Sequence, residues 1–169
     1  MPTNAPACVL GFDPGFGRLG AALIEKKNGK EVLLFSTCFT TPKDETFDKR
    51  FRRLSQAVAA LIARRRPDAV AIEKVYLSKN KKTAMGVAEV RGMLRHLAGV
   101  HRLPLFEYGP GEVKIAVTGY GASDKKAVEA MVRRLVAFPA GAGRLDDEID
   151  AVAIALTCLA STNHPTTNY

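Results

Sequence analysis

The sequence predicts an α/β fold in which helices cover both faces of a five-stranded sheet of mixed direction. Short apolar runs, each ended by a charged residue, Pro or Gly, have the composition of buried strands. Longer stretches carry apolar residues at the spacing of one helix face. Three strands come first, helices and strands then alternate, and helices come last. This order favours a mixed sheet over an all-parallel one.

The three N-terminal strands are predicted from apolar runs separated by turn residues. They cover residues 7–12, 19–24 and 32–35. The segment Asp13-Pro14-Gly15 ends the first strand. Because Asn28-Gly29 between the second and third runs is a tight-turn signal, these two strands are expected to form a hairpin.

The rest of the chain is predicted to alternate and then to become helical. A helix spans residues 46–66, where Phe47, Leu54 and Val58 belong to an apolar set at helical spacing, and Pro67 ends it. The later elements, in chain order, are a strand at 68–73, a helix at approximately 83–101, a strand at 105–108 and helices at 113–117, 123–136 and 147–159.

Length and composition predict one cytoplasmic domain. A chain of 169 residues buries roughly 70% of the surface that it exposes when unfolded, so we expect a single domain over residues 1–161 and a disordered tail over 162–169. No apolar run reaches the roughly 20 residues of a membrane-spanning helix, and the N-terminus lacks the pattern of a secretory signal. The three cysteines lie apart in apolar runs, which predicts reduced core residues.

The net charge predicts a polyanionic partner. The chain has 25 Lys and Arg against 17 Asp and Glu, for a net charge of +8. No basic amphipathic helix with a bulky aromatic face is present, so nucleic acid is favoured over an anionic membrane.

Four acidic residues stand at the ends of apolar runs and predict a divalent-metal site. They are Asp13, Glu73, Asp147 and Asp150. If the first and fourth strands are parallel neighbours, Asp13 and Glu73 meet at one edge of the sheet. Like charges held close at low dielectric repel by several kcal/mol unless a cation lies between them.

Each acid also has a simpler interpretation. Asp13 could be a turn residue before Pro-Gly, and Glu73 could begin a solvated loop. Acids in the first turn of a helix, such as Asp147, favour its positive end. That explanation is weaker for Asp150, because the nine residues after it leave almost no polar face. The coincidence of all four favours the metal site.

Several segments resemble the RuvC family of Holliday junction resolvases in their order and spacing. They are Phe12–Gly15 with Gly20, Ala71–Tyr76 with Lys79 and Asn80, Arg91-Gly92, Tyr108 with Pro110, Val113 and Lys114, Gly119 with Gly121 and Lys125, and Asp147–Ala155. The resemblance spans nearly the whole chain. It implies a ribonuclease-H-like fold and a homodimer that cuts two opposed strands of a four-way DNA junction by magnesium-dependent hydrolysis.

The resemblance also implies roles for individual residues. The family's acidic quartet falls on Asp13, Glu73, Asp147 and Asp150, which would hold two Mg²⁺ ions, or Mn²⁺. Asp146 and Glu148 flank the third position, so which first-turn acid binds metal stays open. The basic residues near the scissile phosphate would be Lys114 and Lys125, although either could be a solvated helix lysine.

Implied DNA contacts lie mostly between the fourth strand and the next helix. They are Tyr76, Lys79, Asn80, Lys81, Lys82 and Arg91, with Tyr76 stacking on an unpaired base; a solvated loop is the alternative. The helix at 83–101 would form the dimer interface, although core burial could explain its apolar residues. The family also implies the RuvA and RuvB branch-migration proteins as partners.

Three other functions remain open at this point. The chain could be a ribonuclease-H-like nuclease that acts on RNA or on another branched nucleic acid. It could be an actin-like ATPase or sugar kinase fragment, because a strand ending in Asp13-Pro14-Gly15 resembles their phosphate loop. It could also be a DNA-binding module that no longer cuts, which the four retained acids disfavour.

Overall fold

A computed structural model of the chain describes residues 6–74, 81–140, 142–143 and 145–161, with the backbone alone described at 81–83. The expected C-terminal tail therefore lies outside the described residues. Within the described part, no helix is both long enough and apolar enough to cross a membrane.

Five strands form one mixed sheet, as predicted. They are β1 (Cys8–Asp13), β2 (Arg18–Lys27), β3 (Lys30–Thr40), β4 (Ala69–Glu73) and β5 (Leu105–Tyr108). Their order across the sheet is β3-β2-β1-β4-β5. The first three strands pair antiparallel, while β1 with β4 and β4 with β5 are parallel. The expected parallel pairing of the first and fourth strands is confirmed.

In the described part of the chain, five helices cover the two faces of the sheet. They are α1 (Phe47–Arg65), α2 (Lys81–Val100), α3 (Pro110–Thr118), α4 (Lys125–Leu135) and α5 (Asp146–Ala160). Because successive side chains of a strand point to opposite faces, β1 contributes to two cores. Leu10 and Phe12 pack with α1 and α2, whereas Val9 packs with α3, α4 and α5.

The approach of α5 to the sheet depends on two glycines. A Cβ at Gly20 would lie 1.9 Å from the backbone oxygen of Asp147, and one at Gly11 would lie 2.5 Å from that of Ala151. Both contacts are too short for any side chain, so glycine lets the helix lie directly on β1 and β2. The first turn of α5 is thereby held beside the C-terminal end of β1.

The hairpin and α3 differ from their predicted bounds. Strands β2 and β3 extend well beyond the apolar runs, because polar residues such as Lys27 and Lys30 continue the pairing to the turn. Helix α3 begins at Pro110 rather than Val113, since the Glu112 carboxylate accepts a hydrogen bond of 2.6 Å from the Gly109 N–H and caps the helix earlier.

Most of the apolar surface predicted for a dimer interface on α2 belongs to the core. Four of its apolar residues are buried against the sheet and α1, namely Val90, Met93, Leu94 and Leu97. Met85 and Val100 stay exposed, at 67% and 62%. Core packing therefore accounts for most of this helix, as the alternative interpretation allowed.

Candidate active site

The four predicted acids come together at one edge of the sheet. Asp13 ends β1 and Glu73 ends β4, and because these strands are parallel neighbours their C-terminal ends lie side by side. Asp147 and Asp150 lie one turn apart at the start of α5, which packs on β1. We call these residues the carboxylate cluster.

Burial and mutual repulsion act on the carboxylate cluster. Burial raises the pKa of Asp13 to about 7, and the charges of Asp150, Glu73 and Asp147 add to the effect. Burial likewise raises the pKa of Glu73, with Asp150 contributing. Burial also raises the pKa of Asp150, although Lys125 opposes the shift. The ionised cluster is therefore unfavourable without added positive charge.

Two basic side chains partly offset this charge. Lys125 Nζ lies 3.1 Å from Asp150 Oδ2 and 3.3 Å from Asp146 Oδ2. Partial burial lowers the pKa of Lys125, but the hydrogen bond and charge of Asp150, with those of Asp146, outweigh burial and raise it. Arg18 Nε lies 3.0 Å from Asp147 Oδ2.

Arg18 is a site residue that was not predicted from the sequence. Arg18 begins β2, and the β1–β2 hairpin returns it to the edge where Asp13 ends β1. An arginine at the start of a strand gives no signal in a sequence, because its role depends on the position of α5.

The oxygen atoms of the carboxylate cluster suit a hard divalent cation, although they do not yet surround a single binding position. Carboxylate oxygens are the ligands that Mg²⁺ and Mn²⁺ prefer. In the described ranges, no three His, Cys, Asp or Glu side chains are already arranged to hold an ion. Lys125 and Arg18 instead each contact one oxygen of an acid, Asp150 Oδ2 and Asp147 Oδ2, so an ion would compete with them for these two carboxylates.

An open cleft lies beside the carboxylate cluster. It has a volume of about 190 Å³, and its charged lining residues are Glu73, Lys114, Lys125 and Asp150. Lys114 on α3 and Lys125 on α4 therefore face the same space as two of the acids. Positive and negative groups that line one cleft suit a phosphate and a metal ion side by side.

The three consecutive acids that open α5 have different surroundings. Asp146 is 66% exposed and pairs with Lys125. Asp147 is 17% exposed and contributes to the raised pKa of Asp13. Glu148 is buried and accepts hydrogen bonds from the Ser36 hydroxyl and the Gly143 N–H. Of the three, Asp147 is the acid that faces Asp13.

The structure describes only some of the other predicted DNA contacts. Tyr76, Lys79 and Asn80 lie outside the described residues, and Lys81 and Lys82 begin α2 with undescribed side chains.

Arg91 is described and is engaged within the fold. Its Nη2 pairs with Glu107 Oε1, and its side chain is only 20% exposed.

Comparisons with known proteins identify the family. The model of the family "Crossover junction endodeoxyribonuclease RuvC" matches residues 9–158. A protein of that name from Leifsonia xyli is 40% identical over 88% of this chain and 71% of its own length, and one from Thermotoga petrophila is 37% identical over 87% and 88%. The structure "T. thermophilus RuvC in complex with Holliday junction substrate" superposes with a TM-score of 0.82 at 33% identity, covering 89% of this chain and 92% of that one. The fold is therefore ribonuclease-H-like, as expected, and the chain belongs to the RuvC family of crossover junction endodeoxyribonucleases.

Proposed function

We propose that this chain is a DNA endonuclease that resolves four-way (Holliday) junctions by hydrolysing paired phosphodiesters, leaving 5′-phosphate and 3′-hydroxyl ends. The observation that carries the proposal is the carboxylate cluster at the edge of a sheet whose sequence belongs to a nuclease family. A solved relative with 33% identity is described in complex with a Holliday junction substrate, which supports the choice of DNA.

Family membership implies the use of a divalent metal. We further propose two Mg²⁺ ions per site, with Mn²⁺ as a substitute, held by Asp13, Glu73, Asp147 and Asp150. Asp13 would be the central ligand of this set, because it ends the central strand of the sheet. When bound, the ions supply Lewis acidity for attack of water on the phosphate and for departure of the sugar oxygen.

The basic residues have a different part in the proposed reaction. Lys125 stands 3.1 Å from Asp150, and its ammonium would be within reach of a phosphate oxygen in the same cleft. Lys114 lines the cleft from α3 and adds a second positive group. Both would counter the charge that develops on the phosphate as the bond breaks.

We assign Arg18, which contacts Asp147 of the carboxylate cluster, the same role as Lys125, namely contact with a phosphate. Its guanidinium is bonded to Asp147 and its side chain is 55% exposed, so its remaining donors would be available to a backbone phosphate. A guanidinium suits this role because its donors match a phosphate in geometry.

Two cuts in opposed strands require two active sites, so we propose a homodimer. Met85 and Val100 of α2 stay exposed, and a Cβ at Gly92 would meet nothing within 4 Å among the described residues. These positions are available for a second copy. A monomer in sedimentation at working concentration would contradict the homodimer. RuvA and RuvB as further partners, and a cytoplasmic location, are proposed on the family resemblance alone.

The decisive experiment incubates the protein with a labelled four-way junction, with and without Mg²⁺ or Mn²⁺. Flap, duplex and RNA–DNA hybrid substrates form a panel in parallel. We expect paired, symmetrical nicks with ligatable ends in the junction alone, and no cutting in EDTA. Preferential cutting of the hybrid would favour an RNA-processing nuclease, and ATP hydrolysis without DNA would favour an ATPase fragment.

A further inference from the structure

One buried carboxylate lies next to the carboxylate cluster without belonging to it. Glu148 follows Asp147 in the first turn of α5 and is 6% exposed. Its Oε2 accepts a hydrogen bond of 2.8 Å from the Ser36 hydroxyl on β3 and one of 2.8 Å from the Gly143 N–H. A buried charge without such donors is costly. The two bonds tie the start of α5 both to the sheet and to the loop before the helix.

The same loop is tied to α4. The Gly143 carbonyl accepts a hydrogen bond of 2.9 Å from Arg133 Nη2, and the Arg133 guanidinium lies 5.1 Å from the centre of the Phe138 ring. Gly143 has a φ of +67°, and a Cβ there would lie 2.2 Å from the same ring, so glycine is required. The contacts form a continuous clamp from β3 through Glu148 and Gly143 to the last turn of α4.

This clamp spans the two helices that bring charged groups to the site. Lys125 is the first residue of α4 and bonds to Asp150 of α5. Asp147 directly precedes Glu148, so rotation of the first turn of α5 would move both metal-ligand candidates relative to Asp13. Metal sites depend on such supporting contacts for ligand geometry.

We propose that Glu148 is a positioning residue that fixes the first turn of α5 to β3 and to the α4–α5 loop. It thereby sets the distances of Asp147 and Asp150 from Asp13 and, with them, the affinity for a divalent cation. The inference rests on the proposed function only for its effect on cleavage, since cation affinity is measured without DNA.

The test compares four variants of the full chain by calorimetric titration with Mn²⁺. Glu148→Ala should weaken Mn²⁺ binding about tenfold. Ser36→Ala removes one of the two hydrogen bonds and should weaken it about threefold. Glu148→Gln should stay within about twofold of the unmodified chain, because the amide oxygen can accept both hydrogen bonds.

The fourth variant separates positioning from general loss of stability. Leu159→Ala removes buried apolar volume at the opposite end of α5, where Leu159 is 8% exposed. Its Mn²⁺ affinity should change less than about twofold even where its Tm falls as far as that of Glu148→Ala. The Mg²⁺ concentration for half-maximal junction cleavage should follow the same order as Mn²⁺ affinity.

The outcomes distinguish this inference from the proposed function. Equal Mn²⁺ affinity in Glu148→Ala and the unmodified chain would overturn it, and so would an equal loss in Leu159→Ala. If Glu148→Ala does not fold, the pair Ser36→Ala and Glu148→Gln decides the question by the difference stated above. If the variants bind Mn²⁺ in the expected order of affinity but the unmodified chain leaves junctions intact, the proposed function is wrong and the positioning role of Glu148 stands.

Discussion

Two groups of buried acidic charge lie on the same sheet and are balanced in opposite ways. Glu107 on β5 is only 6% exposed, and two guanidiniums meet it: Arg91 at Oε1, and Arg95 at Oε2 over 2.5 Å. This Glu107 pair-site brings two positive groups from α2 to one negative group. Its charge is satisfied inside the protein.

The carboxylate cluster is not satisfied in this way. Four acids face two cations, and those cations bond to Asp147 and Asp150. Within the described part of the chain, no basic side chain bonds to Asp13 or Glu73, and burial with like charge raises the pKa of both. Buried acids alone therefore do not indicate a metal site. What marks it is buried negative charge that the fold leaves for an external cation to complete.

The largest effect should come from removing the central acid. Asp13→Asn should lower junction cleavage about a thousandfold, because several kcal/mol of metal-borne stabilisation depend on this ligand. Junction binding measured in EDTA should stay within about twofold. Single-turnover cleavage with filter binding measures both quantities. Retained cleavage in Mg²⁺ would remove Asp13 from the mechanism.

Substitution at the Glu107 pair-site should lower the stability of the fold and leave the cleavage rate unchanged. Glu107→Gln leaves two guanidiniums without their carboxylate and should lower the free energy of unfolding by about 3 kcal/mol. Well below the Tm, cleavage per folded molecule should be unchanged. Urea denaturation measures the first quantity. The control is Glu129→Gln, which breaks the exposed pair of Glu129 with Arg133 and should cost at most about 0.5 kcal/mol.

A third prediction concerns the pH dependence of stability without metal. The pKa of Asp13 is about 7 in the folded chain against an ordinary 3.8, so between these values the folded state holds a proton that the unfolded state releases. Stability from the protonated carboxyl is complete below pH 4 and is lost as the pH rises through 7. In EDTA, Asp13→Asn should therefore gain up to about 4 kcal/mol over the unmodified chain between pH 4 and 8.

Urea titrations of the two proteins at several pH values measure this gain. The raised pKa values of Glu73 and Asp150 act in the same direction. Both acids remain in the variant, so the part of their shifts that comes from burial cancels in the comparison. If the free energies of unfolding of the two proteins change in parallel with pH, ionisation of Asp13 does not destabilise the folded chain.

The sequence predicted the half of the site that depends on topology. Asp13 and Glu73 end apolar runs, and a parallel crossover brings such ends together whatever the side-chain details. The five strands were predictable for the same reason, because buried apolar runs are visible in the chain. Both features depend on which residues are buried, and burial follows from composition.

The remaining half depends on which charges meet. Arg18 reaches Asp147 because a hairpin returns to the same edge, and Glu148 turns inward because Ser36 and Gly143 offer donors. Neither arrangement has a sequence signal, since Arg18 and Ser36 are distant along the chain from the acids that they contact. The same limit applies to Arg91, whose expected contact with DNA competes with its observed contact with Glu107.

The smallest expected effect tests Arg91 directly. Because Arg91 belongs to the Glu107 pair-site, Arg91→Gln should cost about 1 kcal/mol of stability and leave junction affinity within about twofold. The salt dependence of binding is the sharper measurement, since each phosphate contact contributes about 0.9 to the slope of log K against log salt concentration. We expect an unchanged slope for Arg91→Gln and a reduced one for Lys114→Gln, whose side chain lines the cleft. A reduced slope for Arg91→Gln would mean that the arginine leaves Glu107 for DNA, and the two charged groups would then be coupled instead of separate.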